Sequence, residues 1–277
     1  MYKLQISIGT AMTNKNKRLL EPDIKAMVLN HLISKERITP NTSIINEFTI
    51  GNYSRRVDLA IVNEKHLVAF EIKSEADTLN RLSGQTNKYL EYFDKVIIVA
   101  ATKHIKKIVE TVPKNVAVWE VINKQIKIRQ RGKIVPIVNR ARLIDLMKAN
   151  ELLKLSHRLN LTPVSKKRAS LVSAVLKASV PELREASLRC LKDRYYNTSS
   201  LLFKKIEGNQ VFPEDIDLLS PYRRKRQSII ALNKERETLW QVWEKCIEDQ
   251  HLIMMSQSKR KQIFGTVPVE ISNLITA

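Results

Sequence analysis

Two acidic residues interrupt apolar stretches that are otherwise typical of β-strands. Asp58 lies within residues 56–62, and Glu71 lies within residues 67–72. A carboxylate in an apolar strand costs several kcal/mol unless a cation compensates its charge, and metal ions are the commonest such cations. Because a short loop joins the two strands, the carboxylates can lie side by side across a ladder, where each raises the pKa of the other. This arrangement predicts a divalent cation between them.

A lysine follows the second carboxylate at a spacing that suits catalysis. Lys73 comes two residues after Glu71, and the period of a strand puts both side chains on one face. An ammonium in this place can help activate water or stabilise the negative charge that develops when a phosphodiester is cleaved. Hard oxygen ligands and a phosphate substrate favour Mg2+, with Mn2+ as a substitute.

The surrounding periodicity predicts the elements that must position these residues. It predicts a helix over 19–33, then three strands, a second helix and a fourth strand. The predicted strands are residues 44–50, 56–62, 67–72 and 95–101. The second helix is predicted to begin at Ser74, which has a capping-box pattern with Asp77, and to end near Phe93. The sequence also predicts a helix over 104–112 and a hairpin of strands 115–122 and 125–131, which complete this α/β part.

The composition excludes several classes of protein. With six glycines in 277 residues, the chain has no glycine-rich loop of the dinucleotide or nucleoside triphosphate type. Two widely separated cysteines predict neither a disulfide framework nor a zinc site, and they suit a reducing cytoplasm. Since no apolar run is long enough to cross a bilayer, we expect a cytoplasmic protein with no membrane partner.

The charge balance points to a polyanionic partner. Lys and Arg number 48 against 28 Asp and Glu, which gives a formal net charge of +20. Nucleic acid is the commonest polyanion in a cell, although charge alone does not choose between DNA, RNA and anionic lipid.

The motifs around the acidic residues resemble those of the PD-(D/E)XK nuclease superfamily. The similarity lies in Arg56–Ala60, Phe70–Ser74 and Asp77–Leu82, extends over about residues 19–101, and looks like a largely uncharacterised bacterial branch. It implies a restriction-endonuclease-like fold, with helices flanking a mixed central sheet, and a nuclease of DNA repair or defence. Val57 stands where the family name has proline, a position that the superfamily substitutes widely.

The resemblance also implies roles for individual residues. Asp58 and Glu71, with the carbonyl oxygen of Ile72, would bind Mg2+, and Lys73 would position or activate water. Glu21 matches an acidic residue that often completes the metal site, although a negative charge at a helix N-terminus is an equally ordinary feature.

The second predicted helix carries a further match. Gln85 and Tyr89 fit the Q-x-x-x-Y element of the RecB-like exonuclease branch, in which the glutamine orients the site and the tyrosine is a candidate nucleic-acid contact. Their spacing places them on one helix face, where they could equally be a boundary polar residue and a packed ring. Arg55 and Arg56 are candidate phosphate contacts or a solvated edge, and Glu47 either faces the site or faces solvent.

Strand signals nearly vanish after residue 150. We therefore predict a nuclease domain over 1–148 and an all-helical, basic, nucleic-acid-binding domain over 149–277. Residues 151–178 resemble, weakly, a SAP-type helix, loop and helix, with the basic run Lys166, Lys167 and Arg168 before the second helix. The densest basic run is Arg223, Arg224, Lys225 and Arg226. Each run is a candidate nucleic-acid contact or a solvated helix face.

These features favour a Mg2+-dependent deoxyribonuclease. The alternatives are a nuclease acting on RNA and a non-catalytic nucleic-acid-binding protein on a nuclease-like fold. A homo-oligomer or a partner protein is compatible with all of them.

Overall fold

The computed structural model describes residues 18–51, 54–206, 208, 210–220 and 232–241. The chain forms two compact units, residues 1–221 and residues 222–277. In the second unit, residues 232–241 form a helix, and the predicted basic run Arg223 to Arg226 lies outside the described residues. The account below concerns the first unit.

A six-stranded mixed sheet lies at the centre of the first unit, with its strands in sequence order. The strands are β1 (Ser43–Ile50), β2 (Arg55–Val62), β3 (Leu67–Lys73), β4 (Lys95–Ala101), β5 (Ala117–Ile122) and β6 (Gln125–Gln130). β1, β2 and β3 pair antiparallel, β3, β4 and β5 pair parallel, and β6 returns antiparallel beside β5. The predicted strands are thereby confirmed. β4 is almost wholly aliphatic because both of its faces are covered.

Seven helices are described in this unit, and they cover both faces of the sheet and one of its ends. They are α1 (Glu21–Ser34), α2 (Leu82–Leu90), α3 (Thr102–Thr111), α4 (Arg140–Asp145), α5 (Ala149–Arg158), α6 (Arg168–Val175) and α7 (Val180–Ile206), with a 3-10 helix over Pro213–Leu219. One core packs α2 and α3 on the sheet, and the other packs α1 and the 3-10 helix on the opposite face. Among the described residues, no helix is both long and apolar enough to cross a membrane.

The long helix α7 joins the two faces by passing over the free edge of β1. Its Leu191 contributes to the core on the α2 side, whereas Leu202 contributes to the core on the α1 side. Between them, the hydroxyl of Ser199 accepts from the backbone N–H of Ile44 at 2.8 Å and lies 3.2 Å from the carbonyl oxygen of Ile44. The helix α7 thus covers the edge of the sheet that β1 forms.

The helices α4 to α6 and the start of α7 enclose a small core of their own, which includes Leu143, Leu152 and Leu171. This agrees with the predicted helical character beyond residue 148. The compact units divide after residue 221, however, and not at 148. The physical reason is that α7 packs its later turns into the sheet cores, so the helical part and the sheet share buried residues.

The predicted start of the second helix is wrong by eight residues. Asp77 accepts hydrogen bonds from the backbone N–H of Ser74 at 2.8 Å and from its hydroxyl at 2.6 Å. These bonds close a turn instead of capping a helix, and α2 begins at Leu82. Serine and aspartate often offer the backbone such an alternative to helix formation.

A buried ion pair ties α7 to the amino-terminal ends of the parallel strands. The carboxylate of Asp94 has no exposed surface and receives two hydrogen bonds from the guanidinium of Arg184, at 2.6 and 2.8 Å. The backbone N–H groups of Leu67 and Ile137 donate to the same carboxylate, at 2.8 and 3.0 Å. One charged group therefore links β3, β4, the segment before α4, and α7.

We expect Arg184→Met to destabilise the protein by about 3 to 5 kcal/mol, because it leaves the carboxylate of Asp94 buried without its cation. Chemical denaturation measures this change in the free energy of unfolding. Arg189→Met is the matched control: its pair with Glu185 is exposed, so it should cost about 0.5 kcal/mol or less. Equal costs for the two variants would contradict the assigned role of Arg184.

Candidate active site

The candidate site lies where β2 and β3 separate. The pairing between these strands ends at Leu59 and Phe70, one residue before Asp58 and Glu71. Beyond that point the carboxylate of Asp58 accepts a hydrogen bond of 2.6 Å from the backbone N–H of Ile72. The side chain of Asp58 thus accepts the bond that a backbone carbonyl oxygen of β2 would accept in a regular ladder. The two strands separate beside the acidic residues.

A backbone irregularity on the neighbouring strand adjoins this opening. Glu47 has φ 57, and it lies between Asn46 and Phe48, which pair with Leu59 and Val57 of β2. Val57 and Leu59 pack in opposite cores, whereas residues two apart in a regular strand share a face. Asp58 therefore sits at a kink, and its side chain is not committed to either core.

The carboxylate of Glu71 is held by three side chains and is 2% exposed. Lys73 Nζ donates to Oε1 at 2.6 Å, and Gln85 Nε2 donates to the same oxygen at 2.6 Å. The hydroxyl of Tyr89 donates to Oε2 at 2.9 Å. Gln85 Oε1 also accepts from Lys73 Nζ at 3.3 Å, which closes a triangle of polar groups. The structure thus brings together Asp58, Glu71, Lys73 and Gln85, as the sequence predicted.

Tyr89 differs from its prediction as a nucleic-acid contact. Its ring is completely buried in the core, so it cannot reach a bound strand. Its hydroxyl lies 2.8 Å from the carbonyl oxygen of Arg56 as well as contacting Glu71. Burial, and then the charge of Glu71, raise the pKa of this hydroxyl, which keeps it protonated as a donor. Tyr89 therefore orients Glu71 from within the core.

Asp58 has an environment that opposes its ionisation. Burial, and after it the negative charges of Glu71 and Glu21, raise its pKa to about 7. The hydrogen bond from Ile72 N–H and the positive charge of Lys25 act in the opposite sense. Converging carboxylates of this kind are relieved when a cation is bound between them.

Glu21 belongs to this neighbourhood, but its carboxylate is engaged by a lysine that the sequence reading missed. Lys25 Nζ lies 2.6 Å from Glu21 and donates to Asn46 Oδ1 at 2.7 Å, and Lys25 is only 3% exposed. The i, i+4 spacing of Glu21 and Lys25 was a signal for the ion pair. The burial of Lys25 could not be read from it, because burial depends on β1 packing against α1.

The remaining predicted nucleic-acid contacts differ in how far their side chains are engaged by other residues. Arg55 and Arg56 are exposed at the start of β2, and Arg56 lies 3.5 Å from Glu47. Lys166 and Lys167 are exposed before α6, whereas Arg168 donates to the carbonyl of Met147 at 2.7 Å. These positions agree with accessible cations, and contact with nucleic acid stays a prediction for all of them.

The donors at the site suit a hard divalent cation. Asp58 and Glu71 supply carboxylate oxygens, and the backbone of Ile72 is fixed beside them by its bond to Asp58. Within the described ranges, no three His, Cys, Asp or Glu side chains are grouped closely enough to hold an ion together. Glu21 is thus not gathered with the other two acids, because its carboxylate is directed to Lys25.

Comparisons with known proteins give one family. The family model described as bacteriophage P4 protein cII matches residues 14–220, which ends where the first compact unit ends. Protein cII of Enterobacteria phage P4 is 33% identical over 218 residues, covering 76% of this chain and 82% of that protein. A solved structure of a protein of unknown function from Silicibacter pomeroyi is 16% identical, covering 51% of this chain and 92% of that one, with a TM-score of 0.35.

We expect Asp58→Asn to stabilise the metal-free protein at about pH 8, because it removes a charge that the fold disfavours and keeps an oxygen to accept from Ile72 N–H. The folded pKa of about 7 lies above the ordinary value of 3.8, so wild-type stability falls as the pH rises between these values. The gain should be small near pH 4, grow with pH, and level off above about 7. Thermal melts in EDTA across this range measure it, and a loss of stability at about pH 8 would contradict the burial of the charge.

Proposed function

The chain belongs to the bacteriophage P4 protein cII family, and we propose that it is a Mg2+-dependent nuclease that hydrolyses phosphodiester bonds of DNA. The observation that carries the proposal is the fixed carboxylate of Glu71, held by Lys73, Gln85 and Tyr89 beside the disfavoured charge of Asp58. Arrangements that serve only stability seldom place a lysine and two converging carboxylates at an opening between strands.

The order of elements supports a restriction-endonuclease-like fold as part of this proposal. The elements follow one another as a helix, three antiparallel strands, a helix and a parallel strand. The D, E-x-K and Q motifs lie on the elements on which the PD-(D/E)XK resemblance predicts them. α2 follows the E-x-K strand and supplies Gln85 and Tyr89 from one face. The PD-(D/E)XK resemblance of the sequence and the spatial grouping of its residues are thus consistent with each other.

The candidate residues divide the chemistry among them. Asp58 and Glu71, with the carbonyl of Ile72, would hold Mg2+, which when bound supplies positive charge to the phosphate and lowers the pKa of water. Lys73 orients the attacking water and stabilises the charge that develops on the phosphate. Gln85 and Tyr89 fix the direction of Glu71 and Lys73, so that little reorganisation is needed during reaction. Hydrolysis forms the bond from water oxygen to phosphorus and breaks the bond to the leaving oxygen, which takes up a proton.

The charge of the chain favours a nucleic acid as the substrate. The net charge of +20 is spread along the sequence, and Arg55 and Arg56 are exposed at the start of the strand that carries Asp58. Cations at the mouth of a site attract phosphates of the backbone irrespective of sequence. The choice of DNA over RNA comes from the family resemblance of the motifs.

We expect Lys73→Gln to lower cleavage by about 100-fold or more, because it removes the charge while keeping an amide donor for Glu71. The measurement uses linear and circular DNA, and RNA, with Mg2+ or Mn2+. Lys114→Gln is the matched control, because Lys114 is exposed before β5, at the end of the parallel strands remote from Lys73. Equal cleavage by Lys73→Gln, or no cleavage of any substrate by the wild type, would refute the nuclease. Cleavage of RNA alone would favour the ribonuclease.

A second test does not depend on activity. We expect Mg2+ at millimolar concentration to raise the melting temperature of the wild type by several degrees and to leave Asp58→Asn almost unchanged, since a ligand that binds the folded state stabilises it. Isothermal calorimetry of the same proteins gives the affinity. An equal response of both proteins to Mg2+ would contradict a metal role for Asp58.

A further inference from the structure

A cavity of about 410 Å³ is lined in part by Lys88 of α2, the helix that supplies Gln85 and Tyr89 to the candidate active site. The residues that line it are Gly51, Lys88, Tyr92, Ala141, Arg142 and Asp145, and we call it the Lys88–Arg142 cavity. Its volume falls in the range of roughly 300 to 1,000 Å³ that is usual for ligand sites. Lys88 precedes Tyr89 on α2, so one helix contributes both to the cavity and to the group that holds Glu71.

Two cations are held side by side in this cavity. Lys88 Nζ lies 5.2 Å from the centre of the Tyr92 ring, and the guanidinium carbon of Arg142 lies 5.1 Å from it. A single carboxylate oxygen of Glu91 pairs with both, at 3.0 Å from Lys88 and 2.7 Å from Arg142. Asp145 also lines the cavity and lies 3.8 Å from Arg168, so three cations face the two carboxylates of Glu91 and Asp145 and the group retains one excess positive charge.

The turn after β1 is shaped to form the wall of this cavity. Gly51 has φ 58, and a Cβ there would stand 2.7 Å from Ser54 Oγ and 3.1 Å from Lys88 Cε. Glycine therefore lets the hairpin approach Lys88 closely. The ammonium group is consequently confined between the hairpin, Glu91 and the Tyr92 ring instead of moving freely in solvent.

Contacts continue from the cavity to the basic loop before α6. The hydroxyl of Tyr92 donates to Asp145 Oδ2 at 2.9 Å and accepts from Arg142 at 3.1 Å. Asp145 Oδ1 lies 3.8 Å from Arg168, the residue that follows the exposed Lys166 and Lys167. A chain of contacts, in which Tyr92 and Asp145 lie between Arg142 and Arg168, thus runs from α2 through α4 to the start of α6.

We propose that the Lys88–Arg142 cavity binds a backbone phosphate of the DNA strand that runs from the active site to the loop at residues 166–168. The proposal rests on the proposed nuclease function for its substrate, and it assigns the surface along which that substrate lies. The two cations neutralise the phosphate, as Lys and Arg do in protein–DNA contacts. Neither residue was among those that the sequence singled out.

Binding of duplex DNA in EDTA, where no cleavage occurs, tests the assignment across a series of salt concentrations. Lys88→Gln with Arg142→Gln should reduce the slope of log affinity against log salt by about 1, since one neutralised phosphate contributes about 0.9. The matched control is Lys114→Gln with Lys133→Gln, two exposed lysines that are not among the residues lining the cavity. It should leave the slope unchanged. An equal slope for the wild type and the cavity variant would overturn the proposal.

A second pair of variants leaves every ion pair intact. Ala141 lines the cavity from an exposed position of α4, so either Ala141→Glu or Ala141→Lys is compatible with folding. The glutamate variant should bind DNA several-fold more weakly than the wild type, and the lysine variant several-fold more tightly. Equal affinities of the two variants would overturn the proposal even if the double variant does not fold.

The outcomes separate this proposal from the nuclease. If the wild type cuts DNA and these substitutions do not change DNA binding, the phosphate site in the cavity is refuted and the nuclease proposal is not. A wild type that binds DNA with the expected dependence and cuts nothing refutes the nuclease and leaves the cavity standing. The same dependence seen with RNA, and no binding of DNA, overturns the assignment of a DNA strand.

Discussion

The burial of the Glu71 carboxylate is the constraint on which the site depends. A charge that is 2% exposed must be compensated, and here Lys73, Gln85 and Tyr89 donate to it from β3 and α2. These bonds fix the position of α2 against the sheet, because Gln85 and Tyr89 cannot both reach Glu71 from another rotation of the helix. They also fix Lys73, whose ammonium would otherwise be free to turn toward solvent. A single buried carboxylate thus sets the geometry of Lys73 and of the helix beside it.

The separation of β2 and β3 follows from the same group of charges. Two carboxylates directly opposed in a ladder would repel each other, and the strands stop pairing one residue before that point. Asp58 then takes over as the acceptor for Ile72 N–H, and the neighbouring β1 carries an irregularity at Glu47. The cost of this distortion is met elsewhere, by the continuous apolar strands of the sheet centre and by the Asp94–Arg184 pair at the opposite end.

The helices α4 to α7 are attached to the sheet and to α2 at several places. α7 covers the edge of β1 and reaches both cores, and Arg184 near its start binds Asp94. α4 meets α2 through Arg142, Glu91 and Tyr92. The span matched by the phage P4 cII family, residues 14–220, contains all of these contacts. The sheet and the helices after it therefore form one unit in which the candidate site and its basic surroundings are held in fixed relation.

Local pattern alone was sufficient for the order of elements and for the acidic residues of the site. Strands predicted from period-two alternation were confirmed within about one or two residues, because a buried sheet constrains every alternate side chain. The turn at Ser74–Asp77 was not predictable in this way, because the same bonds between a side chain and the nearby backbone can cap a helix or close a turn.

The tertiary structure decided which side chains are buried and which side chains contact one another. Tyr89 and Lys25 have ordinary surroundings in sequence, yet one is enclosed in the core and the other is buried between Glu21 and Asn46. Lys88 and Arg142 both pair with Glu91, although they are far apart along the chain. No sequence periodicity predicts that two such residues lie side by side. The sequence by itself determined which residues could do chemistry, since residue type and strand period are local properties. Which of them face one another was decided by packing between distant elements, since that is where desolvation and charge pairing are set.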